Sequence, residues 1–157
     1  MHHPSPDCGR GASSNEEPAM SPGSTVIPTL VYRDAPKAID WLCDAFGFQR
    51  QAVHADGDVI LHAQLVHGSG MIMLGSANKD GEWSRLMIHP DETGQRATQS
   101  ICVIVSDADA HYAQATRAGA PVVIDIADQP YGGRGYACRD LEGHLWWFGT
   151  YDPWKDA

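Results

Sequence analysis

The pattern of apolar and polar positions becomes regular at residue 25. Val26-Ile27-Pro28-Thr29-Leu30-Val31-Tyr32 is a β-branched and aromatic run that predicts a strand. Pro28 sits near its beginning, where a missing N–H suits an edge or a strand start. Asp34 stands where an N-cap belongs and Pro36 falls in the first turn. Ala35, Ala38, Ile39, Leu42, Ala45 and Phe46 then recur at helical spacing, and Gly47 closes the helix. Three further strands follow, Phe48 to Val53, Val59 to Val66 and Met71 to Leu74, divided by the turn signals Asp56-Gly57 and Gly68-Ser69-Gly70.

The same order then recurs. Ser100 to Val105 predicts a strand. Asp107 caps a helix with Ala108, His111, Tyr112, Ala115 and Ala118 on one side, and Gly119 ends it. Strands follow at Pro121 to Ile126, Gly135 to Arg139 and Leu145 to Phe148. The caps Asp34 and Asp107 are 73 residues apart, and Gly47 and Gly119 are 72 apart. His62-Ala63-Gln64 aligns with Tyr136-Ala137-Cys138 at 74, as does Met71-Ile72-Met73-Leu74-Gly75-Ser76 with Leu145-Trp146-Trp147-Phe148-Gly149-Thr150. A long period present twice means a duplicated module rather than a solenoid. The expected fold is α+β: two tandem βαβββ modules, residues 25–76 and 99–152, forming a curled mixed sheet around a cavity with helices on the outside. Residues 77–98 read as a linker and 153–157 as a C-terminal tail.

Composition narrows the function classes. Residues 1–24 are rich in Pro, Ser, Gly and Glu without apolar period, so they read as a disordered tail in which His2 and His3 are not ligands; Met20 is an alternative start. The chain as a whole is ordinary for a globular protein, with 43% hydrophobic and 20% charged residues. No apolar run approaches the roughly 20 residues that span a bilayer, and the N-terminus lacks the pattern of a secretory signal. Cys8, Cys43, Cys102 and Cys138 are scattered, which suits reduced thiols and a cytoplasmic setting. A net charge of −9 argues against nucleic acid and leans towards cationic ligands.

Three stretches bring a family into view. Tyr32-Arg33-Asp34-Ala35-Pro36-Lys37-Ala38-Ile39-Asp40-Trp41, Asp107-Ala108-Asp109-Ala110-His111-Tyr112 and Arg139-Asp140-Leu141-Glu142-Gly143-His144-Leu145-Trp146 resemble the vicinal oxygen chelate superfamily. That group includes glyoxalase I, bleomycin-resistance proteins and extradiol dioxygenases, and the turn Asp140 to His144 is the most specific piece. The resemblance implies half-barrel modules whose concave faces enclose a cavity, and often a homodimer. In metal-dependent members, four inward strand residues, usually His, Gln or Glu, hold a divalent ion and leave a position for substrate oxygens. Those positions fall here on Ile27 (or Pro28), Gln64, Ser100 (or Ile101) and Trp147. Ile27 and Trp147 offer no donor, so the resemblance is closest to metal-free, bleomycin-resistance-like members. A displaced metal site would have to use His62, Gln64 and His144.

Strand alternation selects the residues that see the cavity. With Gln64 inward, Ile60, His62 and Val66 follow, while Leu61, Ala63 and Leu65 pack on the helix. The repeat adds Tyr136, Cys138, Met71, Met73, Leu145 and Trp147, and pairs Thr29 with Cys102. Tyr131-Gly132-Gly133-Arg134-Gly135 reads as a lid, and Trp83 as a closure from the linker. The expected ligand-binding set is Thr29, His62, Gln64, Met73, Trp83, Cys102, Tyr131, Arg134, Tyr136 and Trp147. No cofactor or catalytic residue is expected. The expected partner is a small, aromatic or cationic organic molecule; the rival class is a metal-dependent lyase, isomerase or dioxygenase.

Overall fold

The computed structural model describes residues 23–78 and 80–156. The expectations for the tail, His2, His3, Cys8 and Met20 fall on residues 1–22, outside the described part.

The first module runs β1 (Thr29–Tyr32), α1 (Ala35–Phe46), β2 (Gln49–Asp56), β3 (Val59–His67) and β4 (Gly70–Ser76). Its helix starts where Asp34 accepts the Lys37 N–H at 3.2 Å. It stops at Gly47, whose φ of 82° lets its N–H turn back to the Cys43 and Leu42 carbonyls. Residues 77–100 carry two short 3-10 turns, Ser84–Leu86 and Pro90–Glu92. The second module runs β5 (Ile101–Ile104), α2 (Ala108–Arg117), β6 (Val122–Asp128), β7 (Arg134–Arg139) and β8 (Leu145–Gly149). Asp107 caps α2 by accepting the Ala110 N–H at 3.0 Å. The residues expected as a C-terminal tail include a single-turn helix, α3 (Pro153–Asp156).

Each module forms its own four-stranded mixed sheet, in the orders β1-β4-β3-β2 and β5-β8-β7-β6. The outer pairs β1–β4 and β5–β8 are parallel and the rest antiparallel. Each helix covers one face of its sheet. The helices also touch each other, so one core runs through both modules. Aromatic rings knit it: Phe46 at the end of α1 lies 5.1 Å from Trp146 and 4.6 Å from Phe148 of β8. The opposite face of each sheet is left open, and that face positions the site.

Register corrects the inward set in the second module. Gln64 pairs with Met73, but Met73's counterpart Trp147 pairs with Ala137, not Cys138. On β7 the repeat offset is therefore 73, and one residue of slip moves every side chain to the other face. Tyr136 and Cys138 are fully buried on the helix side beside Phe148 and Trp146. In the first module a register shift between His54 and Ala55 has the same effect locally. Ile60 joins the core, whereas Leu61 is 64% exposed.

Candidate functional site

The open face of the first sheet is built by cross-strand neighbours. Thr29 of β1 and Gln64 of β3 both pair with Met73 of β4, and His62 pairs with His54 of β2. The rings of His54 and His62 stack at 6.2 Å. His62 Nε2 meets Gln64 Oε1 at 2.9 Å, and the Gln64 amide donates to Gln51 Oε1 at 2.6 Å. A polar row thus crosses β3 and β2, beside the apolar Met73.

A pocket of about 440 Å³ opens against this face. Thr29, His62 and Met73 line it with Val59 and Leu61, and Trp83 closes it from the linker. Among the described residues, no Lys, Arg, Asp or Glu takes part. Sequence reasoning missed Val59 and Leu61 because the bulge inverts local alternation, and it assigned no facing to β2, which carries Gln51. The volume and apolar lining suit an organic molecule of modest size.

The other expected site residues lie elsewhere. Gln64 is adjacent to the pocket but outside its lining. Cys102 lines a separate groove of about 770 Å³ between the modules, with His67, His111 and Trp154. Tyr131 packs edge-on against Tyr151 at 5.1 Å, and its loop is fastened by the Arg134 N–H on Thr150 Oγ1 at 2.9 Å. The Arg134 guanidinium is paired with Asp109 and Asp128. Neither Tyr131 nor Arg134 is among the residues that line this pocket. Tyr136 is buried and lies outside this pocket: its hydroxyl meets His111 Nδ1 at 2.6 Å inside the core. His111 Nε2 meets the Phe46 carbonyl at 2.9 Å, which makes Nε2 the donor and Nδ1 the acceptor of the tyrosine proton.

Trp147 occupies the open face of the second sheet. Its indole lies over Gly135 and Gly149, where an added Cβ would come within 2.7 Å of Cζ2 and 2.8 Å of Nε1 respectively. The two glycines form a shelf that lets the ring lie flat.

Burial governs the ionisable groups near these sites. It lowers His67 and His111 below the ordinary histidine value. It pushes the Cys138 thiol up to about 12, and nearby Asp140 adds to the shift. Cys102 is raised by burial as well. Neither thiol is poised as a nucleophile.

The turn Asp140 to His144 bolts the modules together. Asp140 is buried and accepts from the Tyr32 hydroxyl at 2.7 Å and the Trp146 indole at 3.0 Å. Glu142 accepts the backbone N–H groups of Arg33 and Asp34 and meets His89 Nε2 at 2.7 Å. His144 Nε2 donates to the Val31 carbonyl at 2.9 Å.

This double βαβββ architecture has counterparts. Residues 25–148 match the sequence profile of the Glyoxalase/Bleomycin resistance protein/Dioxygenase superfamily. The chain belongs to this superfamily. An uncharacterized protein of Mycobacterium bovis is 32% identical over 136 residues, covering 86% of this chain and 84% of the relative. One from Mycobacterium tuberculosis has the same identity over 75% of its own length. TioX from Micromonospora sp. ML1 is 36% identical, with a TM-score of 0.63 over 80% of this chain and 94% of that one. The fosfomycin resistance protein FosX from Mesorhizobium loti, 16% identical, shares the fold with a TM-score of 0.57 over 84% and 95% of the two chains.

The divalent ion of the superfamily's metal-dependent members does not fit the corresponding residues here. Ile27 and Trp147 carry no donor atom, Ser100 is a weak one, and Gln64 is engaged with His62 and Gln51. In the displaced set, the Gln64 amide is likewise engaged with His62 and Gln51, and His144 Nε2 meets the Val31 carbonyl. Among the described residues, no group of three or more His, Cys, Asp or Glu side chains is placed to hold a metal ion.

Proposed function

We propose that this superfamily member binds, and thereby sequesters, a small organic molecule with an aromatic body, without a metal ion. The observation that carries the reading is the first-sheet pocket, about 440 Å³, in whose lining His62 is the sole ionisable group among the described residues. Apolar and thioether surface from Leu61, Val59 and Met73 favours a flat hydrophobic ligand. Trp83, 61% exposed at the pocket mouth, offers a ring for stacking. The net charge of −9 favours a cation over an anion. In the same reading the chain works as a pair of identical subunits, with exposed Leu61, Leu86 and Ile88 as apolar surface for a second copy to cover.

Native mass spectrometry of freshly purified protein, with and without the planar cation 9-aminoacridine, tests this. The expected spectrum is a dimer without metal that takes up one acridine per chain. Trp83→Ala should weaken that binding about tenfold. One tightly held divalent ion per chain, or acridine binding indifferent to Trp83→Ala, would overturn the reading.

A further inference from the structure

We infer that His62 faces the pocket as a hydrogen-bond acceptor, fixed in one tautomer by an amide relay, so that the pocket selects aromatic molecules carrying an N–H or O–H donor. The inference rests on the binding reading above and specifies the chemistry of the ligand.

The relay runs along the open face. The Gln64 amide nitrogen donates to Gln51 Oε1 at 2.6 Å, which turns its oxygen towards His62. That oxygen stands 2.9 Å from His62 Nε2. A carbonyl oxygen cannot donate, so the proton of this contact belongs to Nε2. A neutral imidazole carries one N–H, which leaves a lone pair on Nδ1. No described side chain or backbone group donates to Nδ1. It is also not sealed from solvent, since no buried side-chain nitrogen or oxygen lacks a partner among the described residues. Stacking on His54 holds the ring plane.

The rest of the pocket sharpens the selection. Ser76 Oγ accepts the Ile60 N–H at 2.9 Å, and Asn78 Oδ1 accepts the Asp80 N–H at 3.1 Å. The walls beside them are Leu61, Val59, Met73 and Trp83, together with the hydroxyl residues Thr29 and Ser84. A ligand hydroxyl or amine buried here without a partner would be penalised, and His62 Nδ1 is positioned to supply that partner. Gln64 lies outside the lining and acts through His62, so it is a positioning residue.

Two readouts test this at pH 8. Nitrogen-15 NMR of the imidazole side chains should show His62 protonated at Nε2 in the wild-type protein, and a mixture of tautomers in Gln64→Leu. 2-Naphthol should bind about five- to tenfold tighter than 2-methoxynaphthalene, the value of one hydrogen bond. Gln64→Leu and His62→Phe should bring the two ligands to near equality. Equal binding by the wild type, or His62 protonated at Nδ1, overturns the inference and leaves the pocket reading intact. If neither naphthalene binds, the pocket reading falls and this inference falls with it.

Discussion

His111 draws both ring nitrogens into the core, Nδ1 to the Tyr136 hydroxyl and Nε2 to the Phe46 carbonyl. Burial of a polar ring is tolerable because both nitrogens are satisfied. Tyr136→Phe keeps the ring volume and removes the single donor to Nδ1. Unfolding in urea should show a loss of about 1–3 kcal/mol, the cost of leaving a buried acceptor unmade; an unchanged midpoint would argue that water replaces the hydroxyl. This residue also marks where the sequence could be read and where it could not. Alternation puts His62 on the face of Gln64, the repeat adds Thr29 and Met73, and in the sheet register Thr29 and Gln64 both pair with Met73. Tyr136 and Cys138 were placed on the wrong face. The offset of 74 holds for β8, but Gln64 and Met73 pair nine positions apart, while Ala137 and Trp147 pair ten apart. The additional residue lies in the β7–β8 turn, and nothing in the apolar pattern marks it.

At the scale of elements, local signals were the most legible. Asp34, Gly47 and Asp107 cap their helices through contacts within a few residues. Strand ends were less so, because pairing with a neighbour extends β2 to Asp56 and β6 to Asp128 through residues with little strand preference of their own. The pairing of β7 with β8 contains the clearest mechanical constraint. Gly135 sits opposite Gly149 under the Trp147 indole. A Cβ on Gly135 would approach both the Phe148 carbonyl oxygen and the indole Cζ2 to 2.7 Å. Gly135→Ala should therefore lift the Trp147 ring, lower stability by about 1–3 kcal/mol, and move the Trp147 indole N–H resonance. An unmoved resonance would show that the ring does not depend on the shelf.

Across the whole molecule, His67 and His111 meet at the junction of the modules, their rings 6.3 Å apart. Burial holds both below their unfolded value, and for His111 the neighbouring His67 adds to the depression. The unfolded chain thus binds protons that the folded chain resists. Unfolding free energy should be flat above about pH 7, fall as pH drops below about 6.5, and level off once the depressed folded values are passed. Urea midpoints between pH 8 and pH 5 measure this, and a rise in stability on acidification would contradict it. The bolt between the modules was hidden for a different reason. The turn Asp140 to His144 was legible as a family signature. Its partners Val31, Tyr32 and Arg33 are more than a hundred residues away, beyond the reach of any local pattern.

That bolt makes the two halves depend on each other. A lone half would strip the Tyr32 hydroxyl of its carboxylate and bare the Phe46 ring that now rests on Trp146 and Phe148. Either half alone would need a second copy to shield that seam, so its folding would depend on concentration, whereas within one chain the two halves meet at a fixed effective concentration.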